Sequence, residues 1–317
     1  MPSIFGPVHS RRFGVSLGID LSEGVKQCNF DCLYCELSPA KAIATQQIVT
    51  PVDVIVSDLA AALAKHPHVD VITLTANGEP TMYPYLDELI TRIDALKKEK
   101  QTLILSNSAG LGDPEIFACL LRIDQVKLSL DAATPATFRK IDRPAEGIDI
   151  ETIIQSIRRF SQVYTGKLFI EVLFVKGVND TPEEVAALNK ALLPVRAERI
   201  DIGTVDRPPA YGVQGLSFDE LYSLSRLFDP ELPVHIVTRS HATAVAQTYS
   251  EGEILSTLDK RPLTREDVDA LFDPESKERF DRLIREEKIV PVERSNIVFY
   301  LPAQNIHRKR SNQPRIS

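Results

Sequence analysis

Strand-like apolar runs alternate with amphipathic helical stretches through the first 240 residues of this 317-residue chain. Most runs are nearly continuous in Val, Ile and Leu, which is typical of strands buried on both faces of a parallel sheet. The runs lie at residues 14–20, 69–75, 102–107, 125–131, 167–175, 199–205 and 233–238. Because parallel neighbours need a crossover between them, this order predicts right-handed βαβ units, and hence an α/β fold with an open doubly wound sheet or a barrel.

Helix-start signals precede the amphipathic stretches. They are Thr50-Pro51, Asp113-Pro114, Thr181 with Glu184, Ser217 with Glu220, and Ser250 with Glu253. A hydroxyl or carboxylate before a helix accepts from the free amides of its first turn, and proline is tolerated there because it has no amide proton to satisfy. In the last three pairs, the acid three residues later completes the spacing of a capping box.

The pattern changes after about residue 238. Short helical stretches at 253–258, 265–272 and 276–287 are followed by alternating stretches at 289–293 and 297–301 around the turn Arg294-Ser295-Asn296. Three helices and a hairpin predict a small winged-helix-like domain at 250–302, after a core domain at 1–240. Residues 303–317 contain four basic residues and no acid, and we expect a basic flexible tail there.

Charge argues against strong nucleic-acid binding by the C-terminal domain. Residues 250–302 hold nine basic and thirteen acidic residues, and Glu278 with Arg282 and Asp281 with Arg285 have the i,i+4 spacing of neutralising pairs. A DNA-reading helix usually presents uncompensated basic residues. Protein contact or a lid role is therefore favoured over contact with RNA or DNA, and an inert appendage is the third alternative. The basic tail either binds phosphate or, as is commoner, is solvated.

The composition favours a cytoplasmic protein. No run of about 18 apolar residues is present, so no membrane span is predicted, and residues 1–10 lack the apolar stretch of a signal peptide. The four cysteines are then expected to be reduced thiols. A formal net charge of −7 argues weakly against a strongly basic grip on nucleic acid.

Three cysteines within eight residues are the strongest chemical signal. Cys28, Cys32 and Cys35 can place three thiolates around one inorganic core, and thiolate is a soft ligand suited to iron–sulfur clusters or zinc. Structural zinc normally takes four ligands, whereas a [4Fe–4S] cluster with three protein ligands leaves one iron open to a small molecule. A zinc site and three unrelated cysteines are the alternatives. Cys119 lies on an apolar helical stretch and is predicted to be a buried small hydrophobe.

The Cys-x3-Cys-x2-Cys triplet after the first strand of a βα repeat resembles the radical S-adenosylmethionine superfamily. The resemblance implies a partial (βα)6 barrel, a [4Fe–4S] cluster on the three cysteines, and S-adenosylmethionine chelated by the open iron. It also implies reductive cleavage of the sulfonium to methionine and a 5′-deoxyadenosyl radical, which abstracts a hydrogen from the substrate. An electron donor such as flavodoxin or ferredoxin is the partner that this chemistry implies.

Further segments match the same superfamily in order along the chain. Asn77-Gly78-Glu79-Pro80 follows the second strand and resembles the Gly-Gly-Glu-Pro segment that binds the methionine amino group, with Asn77 in place of the first glycine. Gly78 keeps the glycine needed for unusual backbone angles and close approach, although in isolation the segment is a simple turn. Tyr34, before the third cysteine, matches the position that lies against the adenine.

Polar residues at the ends of the next two strands are implied by the resemblance to hydrogen-bond the carboxylate and ribose of the cofactor. In order of strength, the candidates are Ser129, Asp131, Ser106 and Asn107. A capping or loop role is the alternative for each. Glu171, in mid-strand, needs a partner if it is buried, and Asn179 either contacts the cofactor or forms a turn.

A closer resemblance is to bacterial and archaeal radical enzymes related to the wyosine-base synthase that acts on transfer RNA. It rests on residues 5–21, on Glu36 after the third cysteine and on the Arg207 loop, and it covers about residues 1–240. A transfer-RNA nucleoside is therefore one substrate class to test. The archaeal wyosine synthase carries further N-terminal cysteines for a second cluster; this chain lacks them, so a different substrate is favoured.

Three arginines are candidates for substrate binding. Arg11 and Arg12 could hold a phosphate or carboxylate, and the alternative is that they pair with surface acids. Arg207 follows the run at 199–205 on a loop stiffened by two prolines, and the alternative is a purely structural loop.

Two functions of different classes follow from these observations. The first is a radical S-adenosylmethionine enzyme of unidentified substrate. The alternative is a cluster-bearing redox sensor that acts on DNA through its winged helix. The Asn77-Gly78-Glu79 segment and the polar strand ends favour the enzyme, because a pure sensor needs no cofactor pocket.

Overall fold

The computed structural model describes residues 3–10, 13–22, 24–237, 246, 248–260, 262–294 and 297–304. Arg11 and Arg12, both candidates for substrate binding, lie outside the described residues, as do the turn residues Ser295 and Asn296 and the basic residues of the tail. Among the described residues, no helix is long and apolar enough to cross a membrane.

One eight-stranded sheet forms the frame of the molecule, and its strands follow one another in sequence order. They are β1 (Ile4–Ser10), β2 (Gly14–Asp20), β3 (Val71–Thr75), β4 (Gln101–Ser106), β5 (Gln125–Ser129), β6 (Lys167–Phe174), β7 (Arg199–Thr204) and β8 (Val234–Ile236). β1 pairs antiparallel with β2, and every later neighbouring pair is parallel. Within the described residues β1 and β8 do not pair, so the sheet is an open, partial barrel and the predicted α/β fold is confirmed.

Seven helices of the described chain connect these strands. They are α1 (Val52–Lys65), α2 (Leu86–Leu96), α3 (Pro114–Leu120), α4 (Pro135–Ile141), α5 (Ile150–Val163), α6 (Pro182–Leu192) and α7 (Phe218–Ser225). They pack against the outer face of the sheet, where Ile72, Ile104 and Leu128 belong to one apolar core and are completely buried. Full burial of one such side chain stabilises the fold by about 1.5–3 kcal/mol, so this layer fixes where the strand ends lie.

β1 is absent from the sequence prediction, which begins the sheet at residue 14. Gly6-Pro7 interrupts its apolar run, and proline cannot donate to a strand ladder. Here β1 is an edge strand, and its register with β2 shifts between Phe5 and Val8, so the interruption is tolerated. Phe5 lies directly on Gly18, where an added Cβ would be 2.1 Å from the ring.

Three of the five helix-start predictions are confirmed, and two are wrong in detail. Those confirmed are Asp113, Ser217 with Glu220, and Ser250 with Glu253. α1 begins without a side-chain cap on its preceding residue, Pro51, so Thr50 is not its N-cap. Thr181 caps α6 as predicted, but the Glu184 carboxylate accepts from the Thr134 amide and hydroxyl instead of closing a capping box.

A smaller unit with its own apolar core follows the sheet, and we call it the C-terminal unit (the described residues from 248 onward). It contains α8 (Glu251–Lys260), β9 (Leu263–Thr264), α9 (Arg265–Leu271), α10 (Pro274–Arg285), β10 (Ile289–Arg294) and β11 (Ile297–Pro302). Its three strands form an antiparallel sheet in the order β10-β11-β9. The predicted helices and hairpin strands are observed, β9 is an addition to them, and the winged-helix assignment stays a prediction.

The C-terminal unit lies against the edge strand β1 and the end of α1. The Tyr249 hydroxyl donates to the Pro7 carbonyl of β1. The Glu253 carboxylate pairs with the Lys65 ammonium at 2.5 Å and lies 3.4 Å from His66 Nε2. One carbonyl of the exposed sheet edge is thus satisfied by the C-terminal unit, which limits edge-to-edge pairing with another chain.

The two ion pairs predicted within α10 are wrong. Asp281 pairs with Arg265 of α9, and Arg282 pairs with Glu251 of α8 at 3.3 Å and with Glu286 at 3.7 Å. Long side chains reach neighbouring helices as easily as the next turn of their own helix. Arg265 and Arg282 are still compensated, as the charge count indicated, but by acids of a neighbouring helix as well as by acids near them in sequence.

Candidate functional site

The carboxyl ends of β2 to β8 lie along one edge of the sheet, because these strands are parallel. We call this edge the rim. The loop after β2, residues 21–51, carries the three clustered cysteines and is called the cysteine loop. Cys28, Cys32 and Cys35 are each partly buried there. Ligands of α/β proteins bind at this edge, so the position agrees with the predicted cofactor site.

Backbone hydrogen bonds hold the cysteine loop against later rim segments. The Leu33 amide donates to the Ile141 carbonyl at the end of α4, at 2.8 Å. The Ala210 amide, in the loop after β7, donates to the Cys35 carbonyl at 2.8 Å. The course of the chain around the thiols is therefore fixed by the protein itself.

The thiols are poor acids in these surroundings. Burial raises the pKa of all three, that of Cys28 to about 12, so thiolates here need positive charge close by. Lys26 supplies one charge: burial opposes it, but Cys35 and a 2.8 Å hydrogen bond to Asp31 outweigh burial and raise the pKa of Lys26.

The donor set can be compared with the two inorganic groups that the sequence suggests. Among the described residues, no three His, Cys, Asp or Glu side chains are close enough to hold a single metal ion. Three thiols on one anchored loop fit a multi-iron core, which spreads its positive charge over several thiolates. The residues present therefore fit a [4Fe–4S] cluster.

Asp31 connects the cysteine loop to two later segments. Its carboxylate accepts from the Lys26 ammonium and from the Tyr211 hydroxyl, and it pairs with Arg143 at 3.0 Å. Burial acts against the Asp31 charge, but the hydrogen bonds from Lys26 and Tyr211 outweigh it and lower the pKa of Asp31. Arg143 also stacks on the Tyr211 ring, 4.4 Å from its centre. This network closes the loop after β7 over the cysteine loop.

The Asn77-Gly78-Glu79 segment lies directly beside the cysteine loop. The Gln27 amide donates to the Asn77 carbonyl at 2.8 Å, and the Glu79 amide donates to the Gln27 carbonyl at 3.0 Å. A Cβ on Gly78 would lie 1.8 Å from that Gln27 oxygen, so only glycine fits. The Asn77 backbone amide donates a hydrogen bond to Asp20 Oδ1 at 2.8 Å. Each carbonyl oxygen of the segment has two lone pairs, so it can accept a further hydrogen bond from an amino group.

The Glu79 side chain joins the ends of β3 and β4. Its buried carboxylate accepts from the Thr81 hydroxyl at 2.6 Å, the Ser106 hydroxyl at 2.8 Å and the Asn107 amide at 2.7 Å. Burial nevertheless raises the pKa of Glu79. Contact of Ser106 with the cofactor stays a prediction, since its hydroxyl proton is already donated to Glu79.

Tyr34 and Asp131 meet at the rim. The Tyr34 hydroxyl donates to Asp131 Oδ2, and the Leu173 amide donates to Oδ1 at 2.7 Å. Burial raises the pKa of Asp131 to about 7, although the bond from Tyr34 acts in the opposite direction. Asp142 is nearby, and burial together with the Asp131 charge raises its pKa as well. The rim therefore holds two buried carboxyl groups that disfavour each other's ionisation.

Close to the rim, polar and charged side chains lie on the inner face of β5 to β7. Ser129, Glu171 and Asp201 are aligned neighbours across these strands. Lys127 pairs with Glu171, and Arg199 pairs with Asp201 at 2.7 Å, so Glu171 has the partner it was predicted to need. The Ser129 hydroxyl makes no hydrogen bond to another described residue, which leaves it available to a ligand.

Two other residues with predicted ligand roles are bonded within the protein. Arg207 pairs with Glu36 at 3.0 Å, so two features of the closer family resemblance form one ion pair. Asn179 is completely buried and donates to the Asp131 and Leu173 carbonyls at 2.8 and 2.9 Å, which is the turn role. Cys119 is buried in the apolar core, as predicted.

Four residues of the cysteine loop were not predicted to contribute, although they make many of its contacts. They are Lys26, Gln27, Asn29 and Asp31. Their position in the sequence could have indicated this role, because polar residues between clustered cysteines are buried together with them and need hydrogen-bond partners. Most of those partners lie on distant segments, and that part could not be read from sequence.

Comparisons with known proteins agree with this geometry. Residues 23–188 match the radical SAM superfamily. The chain is 40% identical over 303 residues to a UPF0026 protein of Helicobacter pylori strain J99, and the alignment covers 95% of this chain and 97% of that protein.

Solved structures show the same fold. A radical SAM methyltransferase from Sphaerobacter thermophilus gives a TM-score of 0.55 at 15% identity, covering 71% of this chain and 67% of that chain. Streptococcus suis SuiB bound to S-adenosylmethionine gives a TM-score of 0.52 at 17% identity, covering 68% of this chain and 49% of that chain. At these identities the likeness is one of fold alone.

Proposed function

The chain belongs to the radical SAM superfamily and to the UPF0026 family, and we propose that it cleaves S-adenosylmethionine reductively to start radical chemistry on a further substrate. Members of the superfamily use a [4Fe–4S] cluster and S-adenosylmethionine, so the predicted family and cofactors are confirmed. When bound, the cluster supplies the electron that splits the sulfonium into methionine and a 5′-deoxyadenosyl radical, which takes a hydrogen from the substrate.

The observation that carries the proposal is the contact between the cysteine loop and the Gly78 segment. We assign the three cluster thiolates to Cys28, Cys32 and Cys35. Gln27, one residue before Cys28, is hydrogen-bonded on both sides of Gly78. This contact supports a role for the segment's carbonyls in accepting hydrogen bonds from the methionine amino group of a cofactor bound at the cysteine loop.

The adenosine part of the cofactor is assigned to the next strand ends. Asp131 can accept hydrogen bonds from ribose hydroxyls, because a carboxylate has more acceptor positions than its two protein donors use. Tyr34 is held by Asp131 and offers its ring to the adenine. The Ser129 hydroxyl, which bonds to no other residue in the described part of the chain, completes the proposed pocket.

For the substrate we propose a nucleoside of transfer RNA. The resemblance at residues 5–21, Glu36 and Arg207 supports this class, and the Glu36–Arg207 pair holds the loop after β7 at the rim. The ion pairs close to the rim present donors and acceptors side by side, which suits the edge of a base. The reaction needs a one-electron donor, for which we propose flavodoxin or ferredoxin, in the cytoplasm.

For the domains we propose a core at 1–240 and a winged-helix-like domain at 250–302, followed by the basic tail at 303–317. Pairing of Arg265 and Arg282 with acids of other helices supports protein contact over nucleic-acid contact for the second domain. Its bonds to Pro7 and Lys65 support a role in covering β1.

The proposed function is tested with protein that is reconstituted without oxygen, reduced with dithionite and given S-adenosylmethionine. Methionine and 5′-deoxyadenosine should form, and neither should form with the Cys32→Ala variant. A cluster that is reduced and reoxidised without these products would favour the redox-sensor alternative, which also requires DNA binding. Comparing small-RNA nucleosides from cells with and without the protein then tests the substrate class.

A further inference from the structure

Asn107 follows β4 at the rim and directs its side-chain amide at a cysteine sulfur. Its Nδ2 atom lies 3.7 Å from Cys28 Sγ and 2.6 Å from Asn29 Oδ1. Its Oδ1 atom accepts from the Ala109 amide at 3.1 Å. Because only the oxygen can accept that proton, the NH2 group must lie on the side of the sulfur.

We infer that Asn107 acts on the iron–sulfur cluster rather than on S-adenosylmethionine: one amide N–H is held by Asn29, the other donates to the Cys28 sulfur, and Asn107 thereby helps to set the reduction potential. The family resemblance implied cofactor contact for this residue, and the observed contact is with a thiol instead. The inference rests on the proposed function in one respect, the assignment of Cys28 as a cluster ligand.

A second donor acts on the same sulfur. The Phe30 amide lies 3.3 Å from Cys28 Sγ, so Cys28 receives two N–H groups. Reduction adds negative charge to the cluster and its sulfur ligands, and N–H donors stabilise that charge more in the reduced state than in the oxidised state. Both donors therefore make the cluster easier to reduce.

The next residue, Ser108, also helps to fix the position of the Asn107 side chain. Ser108 has a left-handed backbone with φ of 73° and is completely buried, and its hydroxyl donates to the Ser129 carbonyl at 2.7 Å. A non-glycine residue keeps such a conformation only when its surroundings enforce it. The turn that aims Asn107 at Cys28 is therefore rigid before any cluster binds.

The test is a redox titration, monitored by electron paramagnetic resonance, of reconstituted protein without S-adenosylmethionine. Asn107→Leu keeps the approximate size of the side chain and removes both N–H groups of its amide, while the Phe30 amide stays beside Cys28. The equilibrium constant for one-electron reduction should fall about five-fold, as expected for one hydrogen bond, which corresponds to a potential about 40 mV more negative. Iron content and affinity for S-adenosylmethionine should stay at the wild-type level.

Ser129→Ala is the matched control, because it changes a hydroxyl at the next strand end and leaves the donors to Cys28 in place. It should weaken S-adenosylmethionine binding and leave the potential unchanged. If Asn107→Leu takes up too little iron to titrate, Asn107→Ala removes the same donors with less bulk, and its potential should fall in the same way.

An unchanged potential together with weaker S-adenosylmethionine binding in the Asn107 variants would overturn the inference and return Asn107 to the cofactor pocket. Failure of the proposed function looks different. In that case the wild-type protein forms no 5′-deoxyadenosine, while the potential of the Asn107 variants is still shifted.

Discussion

The rim and the C-terminal unit bury different kinds of side chain. At the rim, Glu79, Asp131 and Asn179 are polar or charged and buried, and each makes several hydrogen bonds. In the C-terminal unit, most of the large buried side chains are aromatic or apolar, such as Phe272 and Phe280. Buried polar groups cost stability unless they are all satisfied. Burial of these rim groups is therefore tolerated because each is hydrogen-bonded, whereas the C-terminal unit is held together mainly by apolar packing.

The pKa values of Asp131 at the rim and Glu253 in the C-terminal unit shift in opposite directions. Burial raises the pKa of Asp131 to about 7 and that of Cys28 to about 12. In the C-terminal unit, burial of Glu253 is outweighed by hydrogen bonds from Lys65 and Ser250, which lower its pKa to about 2. Cys28 and Asp131 are held near their neutral form, so each can ionise when a positively charged ligand binds beside it. Glu253 is already ionised and paired with Lys65.

Removing a rim cysteine should have the largest effect of any single change. Cys28→Ala, Cys32→Ala or Cys35→Ala leaves two thiolates, which cannot hold three irons, so the brown iron–sulfur absorbance should be lost or unstable. Cys119→Ala is the matched control, since this cysteine is buried in the apolar core. Iron content after reconstitution is the measurement. Loss of iron from Cys119→Ala alone would contradict the assignment.

Asp131→Ala should have the next largest effect. Loss of a buried hydrogen bond to a charged group costs about 1.5–3 kcal/mol, so affinity for S-adenosylmethionine should fall by about 10- to 150-fold with the cluster intact. The melting temperature should fall too, because the bond from the Leu173 amide is lost. Calorimetric titration beside a melting curve separates the two roles. Unaltered affinity with a lower melting temperature would leave Asp131 a purely structural residue.

Tyr249→Phe probes the contact of the C-terminal unit with the sheet. It removes the donor to the buried Pro7 carbonyl, and an unsatisfied buried acceptor costs about 1–3 kcal/mol. The melting temperature should fall while the iron content stays unchanged. Tyr300→Phe is the control, because its hydroxyl makes no hydrogen bond to another described residue. Equal melting temperatures for the two variants would show that the Pro7 contact contributes nothing.

The Glu253–Lys65 pair should give the smallest effect, and it should depend on pH. The pKa of Glu253 in the folded protein, about 2, is lower than the value of about 4.3 expected when unfolded. The pair therefore stabilises the fold above about pH 4 and loses this contribution as the pH falls towards 2. Glu253→Gln should lower the free energy of unfolding by less than about 1 kcal/mol at pH 7, since Lys65 is exposed.

Denaturant titrations of wild type and Glu253→Gln between about pH 2 and 7 are the measurement for this pair. The two stability curves should converge at the acid end. A constant difference in the free energy of unfolding across this pH range would mean that the ion pair does not cause the difference. The electrostatic contrast between the rim and the C-terminal unit would then be wrong.

The strands of the sheet could be predicted because their apolar runs are local. β2 was placed correctly to the residue, and β3 to β8 within about two residues of their ends, as is usual for element boundaries. β1 was missed since Gly6-Pro7 breaks its run, and its pairing with β2 depends on an edge position that only the assembled sheet defines.

The rim could be predicted only in part. The spacing of the three cysteines is a local feature, and so is the Gly78 segment. By contrast, Tyr34 and Asp131 are 97 residues apart, and Asn107 is 79 residues from Cys28. Tertiary packing decides which strand-end side chains face the thiols and which face each other, and no local pattern records it. The same holds for Glu184 of α6, whose carboxylate accepts from Thr134.

The spectrum of the reduced cluster, recorded by electron paramagnetic resonance with and without S-adenosylmethionine, tests the rim site most directly. If three rim cysteines leave one iron open, the cofactor binds that iron, and the g values should change when it is added. Asp131→Ala should need a higher cofactor concentration for the same change. Identical spectra at saturating S-adenosylmethionine would contradict a cluster with an open iron at the rim.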